Sequence, residues 1–143
     1  MLTVKSLKES NGEREQNYLD TDIILALTKK EDWLKAHVSL DKCAPACTSA
    51  VTILEARIVM EREYGRTEAL KVSDTVKALN LTILPLTEAV LQKSQELLQN
   101  YPSLNHFDSM HVAFALLHNL TIIGTDTIFA KITGLRSKDP RAF

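Results

Sequence analysis

Charge of one sign, a cysteine framework, long apolar runs and repeated segments are all missing from this sequence. Its 17 Lys and Arg against 18 Asp and Glu give a formal net charge of -1, so no global basic field is available to hold a polyanion. Any contact with nucleic acid has to be local. The two cysteines, Cys43 and Cys47, form no disulfide framework, and no further pair completes a zinc site. They read as two small buried thiols of a reduced cytoplasmic protein. No stretch approaches the roughly 18 consecutive apolar residues that a membrane span needs, and no apolar run follows Lys5 and Lys8 to make an export signal. His37, His106 and His118 lack HxxxH spacing, which argues against a zinc hydrolase.

What remains is one domain's worth of chain, 143 residues with 45% hydrophobic content, patterned as strands and helices in alternation. Residues 1–17 are polar and carry the turn signal Asn11-Gly12, so they read as an extension, at most a short strand laid on a domain spanning 18–143. Tyr18 and Leu19 lead to Asp20, Thr21 and Asp22 and then to the apolar run 23–27, a short buried strand turning into a helix that Thr21 or Asp22 can cap. The mixed spacing of Trp33, Leu34, Val38 and Leu40 predicts a second helix over 31–40. Residues 46–48 form a brief strand, and Ser49 caps a helix over 50–64 that Gly65 closes. The next helix covers 66–79, with Ala69, Val72, Val76 and Leu79 on one face. A strand at 81–84 precedes Pro85, and Thr87 caps a helix over 88–100 with Val90, Leu91, Leu97 and Leu98 inward. Asn105 caps 106–118, residues 121–123 make a strand, and 135–137 allow one more at the edge. Strands separated by helices of this length imply right-handed crossovers and a parallel sheet covered on both faces, an α/β three-layer α/β/α sandwich. Ligands of such sheets bind beyond the carboxyl ends of the strands.

Four carboxylates fit poorly with an ordinary solvated surface. Asp20 and Asp126 each follow a short apolar segment read as a strand, so both project at the same rim, where each can also cap the next helix. Glu55 has Val51 one turn before it and Val59 one turn after, with Leu54 and Ile58 alongside; a solvated glutamate more often sits on the polar side. Asp108 opens a helix whose residues 112–117 are apolar all round, and there it is either a wet acid favoured by the macrodipole or a carboxylate that needs a partner. Gathered together, the four would repel one another with too few lysines and arginines nearby to neutralise them. A divalent cation resolves that conflict, and all-oxygen donors select Mg²⁺ or Mn²⁺. Such ions activate water and hold a phosphodiester for hydrolysis.

The segments Tyr18-Leu19-Asp20-Thr21-Asp22, Thr48-Ser49 with Glu55, His106-Phe107-Asp108-Ser109-Met110-His111-Val112-Ala113-Phe114-Ala115 and Gly124-Thr125-Asp126-Thr127-Ile128-Phe129, in this order, resemble the PIN domains, and within them the VapC-type toxins of toxin–antitoxin pairs. The resemblance implies a parallel-sheet sandwich, Mg²⁺- or Mn²⁺-dependent cleavage of single-stranded RNA, a homodimer and a small antitoxin protein as partner. By position, Asp20, Glu55, Asp108 and Asp126 match the family's acidic quartet, and Thr21, Ser49 and Thr125 its small hydroxyl neighbours. Asp22 departs from the family's usual Asn or Ser; it is either a ligand or a cap. No second acid follows Asp126, which favours one ion over two.

Other residues carry weaker signals. His111 lies one turn from Asp108, where it orients the acid, binds metal, or simply packs. Lys29, Lys30, Arg57 and Arg62 are the nominees for RNA contact against a reading as plain surface charge, with Arg136, Lys138 and Arg141 as a basic C-terminus. A housekeeping RNA-processing nuclease uses the same fold. The rival chemistry is an Asp-x-Asp phosphatase built on Asp20 and Asp22, with Asp20 as nucleophile. A PIN-like domain that binds RNA or protein without cutting stands outside catalysis.

Overall fold

The computed structural model describes residues 16–143, and the first fifteen positions of the polar extension lie outside the described residues. In chain order the elements are β1 (Asn17–Leu19), α1 (Thr21–Thr28), a 3-10 turn (Trp33–His37), α2 (Leu40–Cys43), β2 (Ala46–Ser49), α3 (Ala50–Tyr64), α4 (Arg66–Ala78), β3 (Thr82–Leu84), α5 (Glu88–Asn100), α6 (His106–Leu117), β4 (Thr121–Ile123), a 3-10 turn (Thr127–Lys131), β5 (Arg136–Lys138) and a final 3-10 turn (Pro140–Ala142). The five strands form one sheet in the order β3-β2-β1-β4-β5, every pair parallel. Among the described residues no helix is long and apolar enough to cross a membrane.

Alternation along strands only three or four residues long divides the core in two, because successive side chains leave opposite faces of the sheet. Tyr18, Cys47 and Ile122 point to one side, where they join Val90, Leu97, Val112, Phe114 and Phe129. Leu19 and Ile123 point to the other, with Ile23, Ile24, Ala56, Met60, Val72 and Val76. The helices α5 and α6 therefore cover one face and α1, α3 and α4 the other, which is the expected three-layer sandwich. Both cysteines are buried and free, and burial pushes the Cys47 thiol up to about 12.

Capping chemistry sets most helix boundaries where the sequence places them. Ser49 accepts a hydrogen bond from Thr52 N at 3.2 Å, Thr87 from Val90 N at 3.3 Å and Asn105 from Asp108 N at 2.8 Å, while Gly65 ends α3 at φ +90°, a backbone that glycine adopts freely.

Five expectations need correction. The single helix over 31–40 is instead the 3-10 turn capped by Asp32, whose side chain accepts from Leu34 N, followed by the four-residue α2. Only Leu34 of its apolar residues is buried in that turn, and Trp33 stays 62% exposed, so no continuous apolar face exists to hold a regular helix. On α5, Leu91 turns outward and Ser94 takes the buried place between Val90 and Leu97, as the 3.6-residue period requires. On α3, Leu54 and Ile58 face solvent; Val51, Thr52, Ala56 and Met60 are the buried stripe. The first strand starts at Asn17 rather than Tyr18, because the Asn17 amide donates to Cys43 O at 2.7 Å and anchors that position, and the last runs over Arg136–Lys138, one residue beyond the reading of 135–137.

Candidate active site

Strand order reverses at β1: from there β2 and β3 extend one way, β4 and β5 the other. Such a switch point opens a crevice at the carboxyl ends of the two strands that diverge. Asp20 follows β1 and Gly124-Thr125-Asp126 follow β4, and Asp20 N donates to Ile123 O at 3.0 Å, so the two chain ends are stitched together at that crevice.

Asp20 occupies the N-cap position of α1, yet its side chain makes no capping hydrogen bond. Its Oδ1 is buried and without a hydrogen-bond partner, as is Asp22 Oδ1. Buried oxygens of that kind are costly and call for a counter-charge. Asp126 behaves differently, since its Oδ1 accepts from Ile128 N at 3.0 Å and caps the following turn. The capping alternative therefore fails for Asp20 and holds for Asp126.

Asp22 does not cap; it fastens the loop that carries Asp126. Its Oδ2 accepts from Thr125 N at 2.9 Å and from the Thr125 hydroxyl at 2.5 Å. Thr125 thus serves the site through Asp22, a contact that the sequence could not show because the two are separated by 103 positions. Gly124 completes the close approach. A Cβ there would stand 3.0 Å from Asp20 Cβ and 3.1 Å from Asp20 Oδ2, with Phe129 Cε2 at 3.3 Å. Gly124→Ala is accordingly expected to displace the Asp20 carboxylate and cost about 1–3 kcal/mol of stability, which a thermal melt checks.

His111 is wholly buried and sits at the centre of the cluster. Its Nε2 lies 2.7 Å from Glu55 Oε1, 3.1 Å from Thr21 Oγ1 and 3.6 Å from Asp20 Oδ1, and the Thr21 hydroxyl donates to the same Glu55 oxygen. The ring therefore orients Glu55, where the sequence had left it beside Asp108. Ser49, besides capping α3, stands 2.7 Å from the Tyr18 hydroxyl. The Tyr18 phenol, which sequence reasoning did not select, contacts His111 Nδ1 at 2.7 Å.

These contacts explain the electrostatics. Burial is the largest influence on Asp20, pushing its carboxyl up to about 7 against the pull of His111, with Asp22 and Glu55 adding repulsion. Burial, then Asp126 and Glu55, push Asp108 up to about 6. Asp22 is also raised by burial, with Asp126 contributing and Thr125 opposing. Burial raises Glu55 as well, but the hydrogen bonds from His111 and Thr21 outweigh it and hold that carboxyl below its usual range. Desolvation lowers His111, and Glu55, Asp20 and Asp108 more than reverse it. The four acids of the quartet, with Asp22, thus act on one another across a single rim.

Among the described residues no three His, Cys, Asp or Glu side chains are arranged so as to hold a metal ion as they stand. Charge and donor chemistry nevertheless fit one. Asp20, Glu55 and Asp108 act on a single imidazole while Asp22 and Asp126 repel each other beside them, and two of the carboxylate oxygens are buried without donors, a setting that suits a hard dication bound by oxygen.

The basic residues nominated for RNA do not converge on this rim. Lys29 is held by Asp32 at 3.7 Å and Glu63 at 3.6 Å, and with Lys30, Met60 and Tyr64 it lines a separate cavity of about 480 Å³. Arg57 donates to Ser73 on α4 at 2.7 Å, and Arg62 is exposed near the end of α3.

Comparison with known proteins agrees with this architecture. No curated protein matches the sequence. Among solved structures, VapC20 of Mycobacterium tuberculosis, a sarcin–ricin loop cleaving toxin, superimposes with a TM-score of 0.72 at 16% identity, covering 83% of this chain and 95% of that one. VapBC2 of Rickettsia felis, bound to a DNA fragment from its promoter, gives 0.68 at 16% identity over 87% and 98% of the two chains. DNA-bound VapBC of Salmonella typhimurium gives 0.68 at 20% identity over 88% and 98%. At such identities the likeness establishes the fold. The family profile of the PIN domain matches residues 18–135, which runs from within β1 to the residue before β5 and takes in every acid of the rim, and the chain belongs to the PIN-domain family.

Proposed function

We propose that this chain is a divalent-cation-dependent endoribonuclease of single-stranded RNA and the toxin of a toxin–antitoxin pair. The observation that carries the reading is the buried carboxylate oxygen of Asp20 at the switch point of the sheet, without a hydrogen-bond partner and repelled by Asp22 and Glu55, with Asp108 in turn repelled by Asp126 and Glu55. Membership in the PIN family supports nuclease chemistry, and solved relatives described as a toxin–antitoxin complex from Klebsiella pneumoniae and as VapBC assemblies support an antitoxin partner. Pairing of two copies belongs to the same reading. Leu54, Ile58, Ile83 on the edge strand β3, and Leu91 are large exposed apolar side chains available to such an interface.

Asp20, Asp108 and Asp126 would hold Mg²⁺ or Mn²⁺, which when bound supplies positive charge to the scissile phosphate and to the leaving oxygen. The rest falls to side chains. Glu55, kept ionised by His111 and Thr21, accepts a proton from the attacking water and fixes its direction. Asp22 and Thr125 hold the Asp126 loop against β1.

Titration of wild type and Asp108→Asn with Mn²⁺ and Mg²⁺, followed by cleavage of single-stranded RNA, tests this directly. The wild type is expected to bind an ion and cut, and Asp108→Asn to lose roughly 100-fold or more in rate with its fold intact. Turnover of phosphomonoesters without RNA cleavage would replace this reading with the phosphatase. Growth arrest on expression, relieved by a small co-purifying protein, separates a toxin from a housekeeping nuclease.

A further inference from the structure

Beyond the acids, the described residues contain two buried polar clusters. One is closed on itself: Ser94 and Ser109 hydroxyls meet at 2.6 Å between α5 and α6, and Ser109 donates to His106 O at 2.7 Å. The other leads into the site. The Tyr18 hydroxyl stands 2.7 Å from Ser49 Oγ, 3.0 Å from Thr52 Oγ1 and 2.7 Å from His111 Nδ1, and both Tyr18 and His111 are fully buried.

A phenol is a demanding choice at the centre of a strand, because its hydroxyl must be satisfied when buried. Phenylalanine would pack as well here, since the Tyr18 ring stacks on Phe114 with centroids 5.8 Å apart and 18° between planes. The hydroxyl is thus surplus to packing, and its one partner outside the start of α3 is the imidazole. His111 Nε2 carries a proton toward Glu55 Oε1, because a carboxylate can only accept. Nδ1 and the Tyr18 hydroxyl share a hydrogen bond whichever of them donates. An imidazole tethered through one nitrogen can swing about its side-chain torsions; tethered through both, it cannot. Glu55 is a flexible side chain, partly exposed, whose oxygen is aimed by Nε2 and Thr21.

We propose that Tyr18 is a positioning residue for Glu55, acting through His111. The assignment rests on Glu55 serving the RNA cleavage described above, whereas the ring contacts it invokes are observable without substrate or metal.

The test compares Tyr18→Phe, His111→Gln, the double variant and Ser94→Ala, the last removing a buried hydroxyl that has no path to Glu55. Each is measured for kcat and KM on single-stranded RNA per folded molecule, and the histidine ring N–H signals of the metal-free wild type, Tyr18→Phe and Ser94→Ala are recorded by ¹⁵N NMR. Tyr18→Phe is expected to lower kcat roughly tenfold with KM within about twofold, and to broaden or lose the slowly exchanging Nε2–H signal of His111. Ser94→Ala is expected to leave both unchanged. Added to His111→Gln, Tyr18→Phe is expected to cost less than about a further twofold, since the two act in one chain of contacts.

A Tyr18→Phe protein with wild-type kcat and an unchanged ring signal overturns the proposal, as do losses that multiply in the double variant. If the wild type cuts no RNA, the cleavage reading fails while the ring signal still decides this one: unchanged in Tyr18→Phe, it refutes the tether, and lost, it supports it. Should Tyr18→Phe not fold, the wild-type ring decides: a ¹⁵N shift of His111 Nδ1 typical of a hydrogen-bonded nitrogen supports the tether, and one typical of a free nitrogen refutes it.

Discussion

Replacing Asp20 by Asn is expected to abolish RNA cleavage and, in the same molecule, to raise thermal stability in the absence of metal. The two effects have one cause. Asp20 is 7% exposed, its Oδ1 has no hydrogen-bond partner, and it stands among Asp22 and Glu55. Ionising it there costs stability. The difference between an ordinary carboxyl near 3.8 and this one near 7 corresponds to about 4 kcal/mol at alkaline pH. An amide of the same shape removes the charge and supplies a donor toward the neighbouring acids. A gain of about 1–3 kcal/mol in a thermal or urea melt at alkaline pH, with a loss of roughly 100-fold or more in cleavage, is the expected result. If Asp20→Asn melts lower than wild type without metal, the carboxylate is a structural partner and its role as an ion ligand falls.

The second large effect is a reversal in pH dependence on adding a cation. A carboxyl whose folded-state pKa is raised keeps its proton longer in the folded protein than in the unfolded chain. Its adverse contribution is therefore absent well below the unfolded value near 3.8, grows as pH climbs, and is complete above about 7. Asp108, raised to about 6, acts in the same direction. Without metal, stability from these two groups is expected to decline between about pH 4 and pH 7. Oxygen ligands bind a dication only after losing their protons, so the stabilisation by Mn²⁺ grows over that same interval. Melting temperatures measured across it with and without millimolar Mn²⁺ should diverge with rising pH, and the divergence should shrink in Asp20→Asn. Parallel curves would mean that the ion binds elsewhere or not at all.

Both expectations depend on residues that the sequence made visible to different degrees. Three helix starts came from local chemistry, and the structure keeps them: Ser49, Thr87 and Asn105 cap α3, α5 and α6, and the alternation of Tyr18 with Leu19 and of Ile122 with Ile123 assigns the two faces of the sheet. Periodicity failed where the apolar content was thin or its phase ambiguous. The 31–40 segment has four apolar residues at uneven intervals and settled into a 3-10 turn and α2. On α3 the apolar residues run round most of the helix, so the phase could not be read, and Leu54 and Ile58 turned out to face solvent. Glu55 reaches the site with Val51 buried one turn before it and Val59 half-buried one turn after, while Leu54 and Ile58, expected alongside, face solvent.

Composition and spacing alone determined that this chain is a parallel α/β domain with acids at the ends of its strands, because caps, alternation and helix length are set by residues within a few positions of one another. Which acid does what was decided only by the fold. Asp20 Oδ1 is left without a hydrogen bond, Asp126 caps, Asp22 ties down Thr125, and His111 links Tyr18 to Glu55. Those contacts join positions as much as 103 residues apart. A hydrogen bond depends on a few tenths of an ångström between its atoms, and no pattern along the chain encodes that distance.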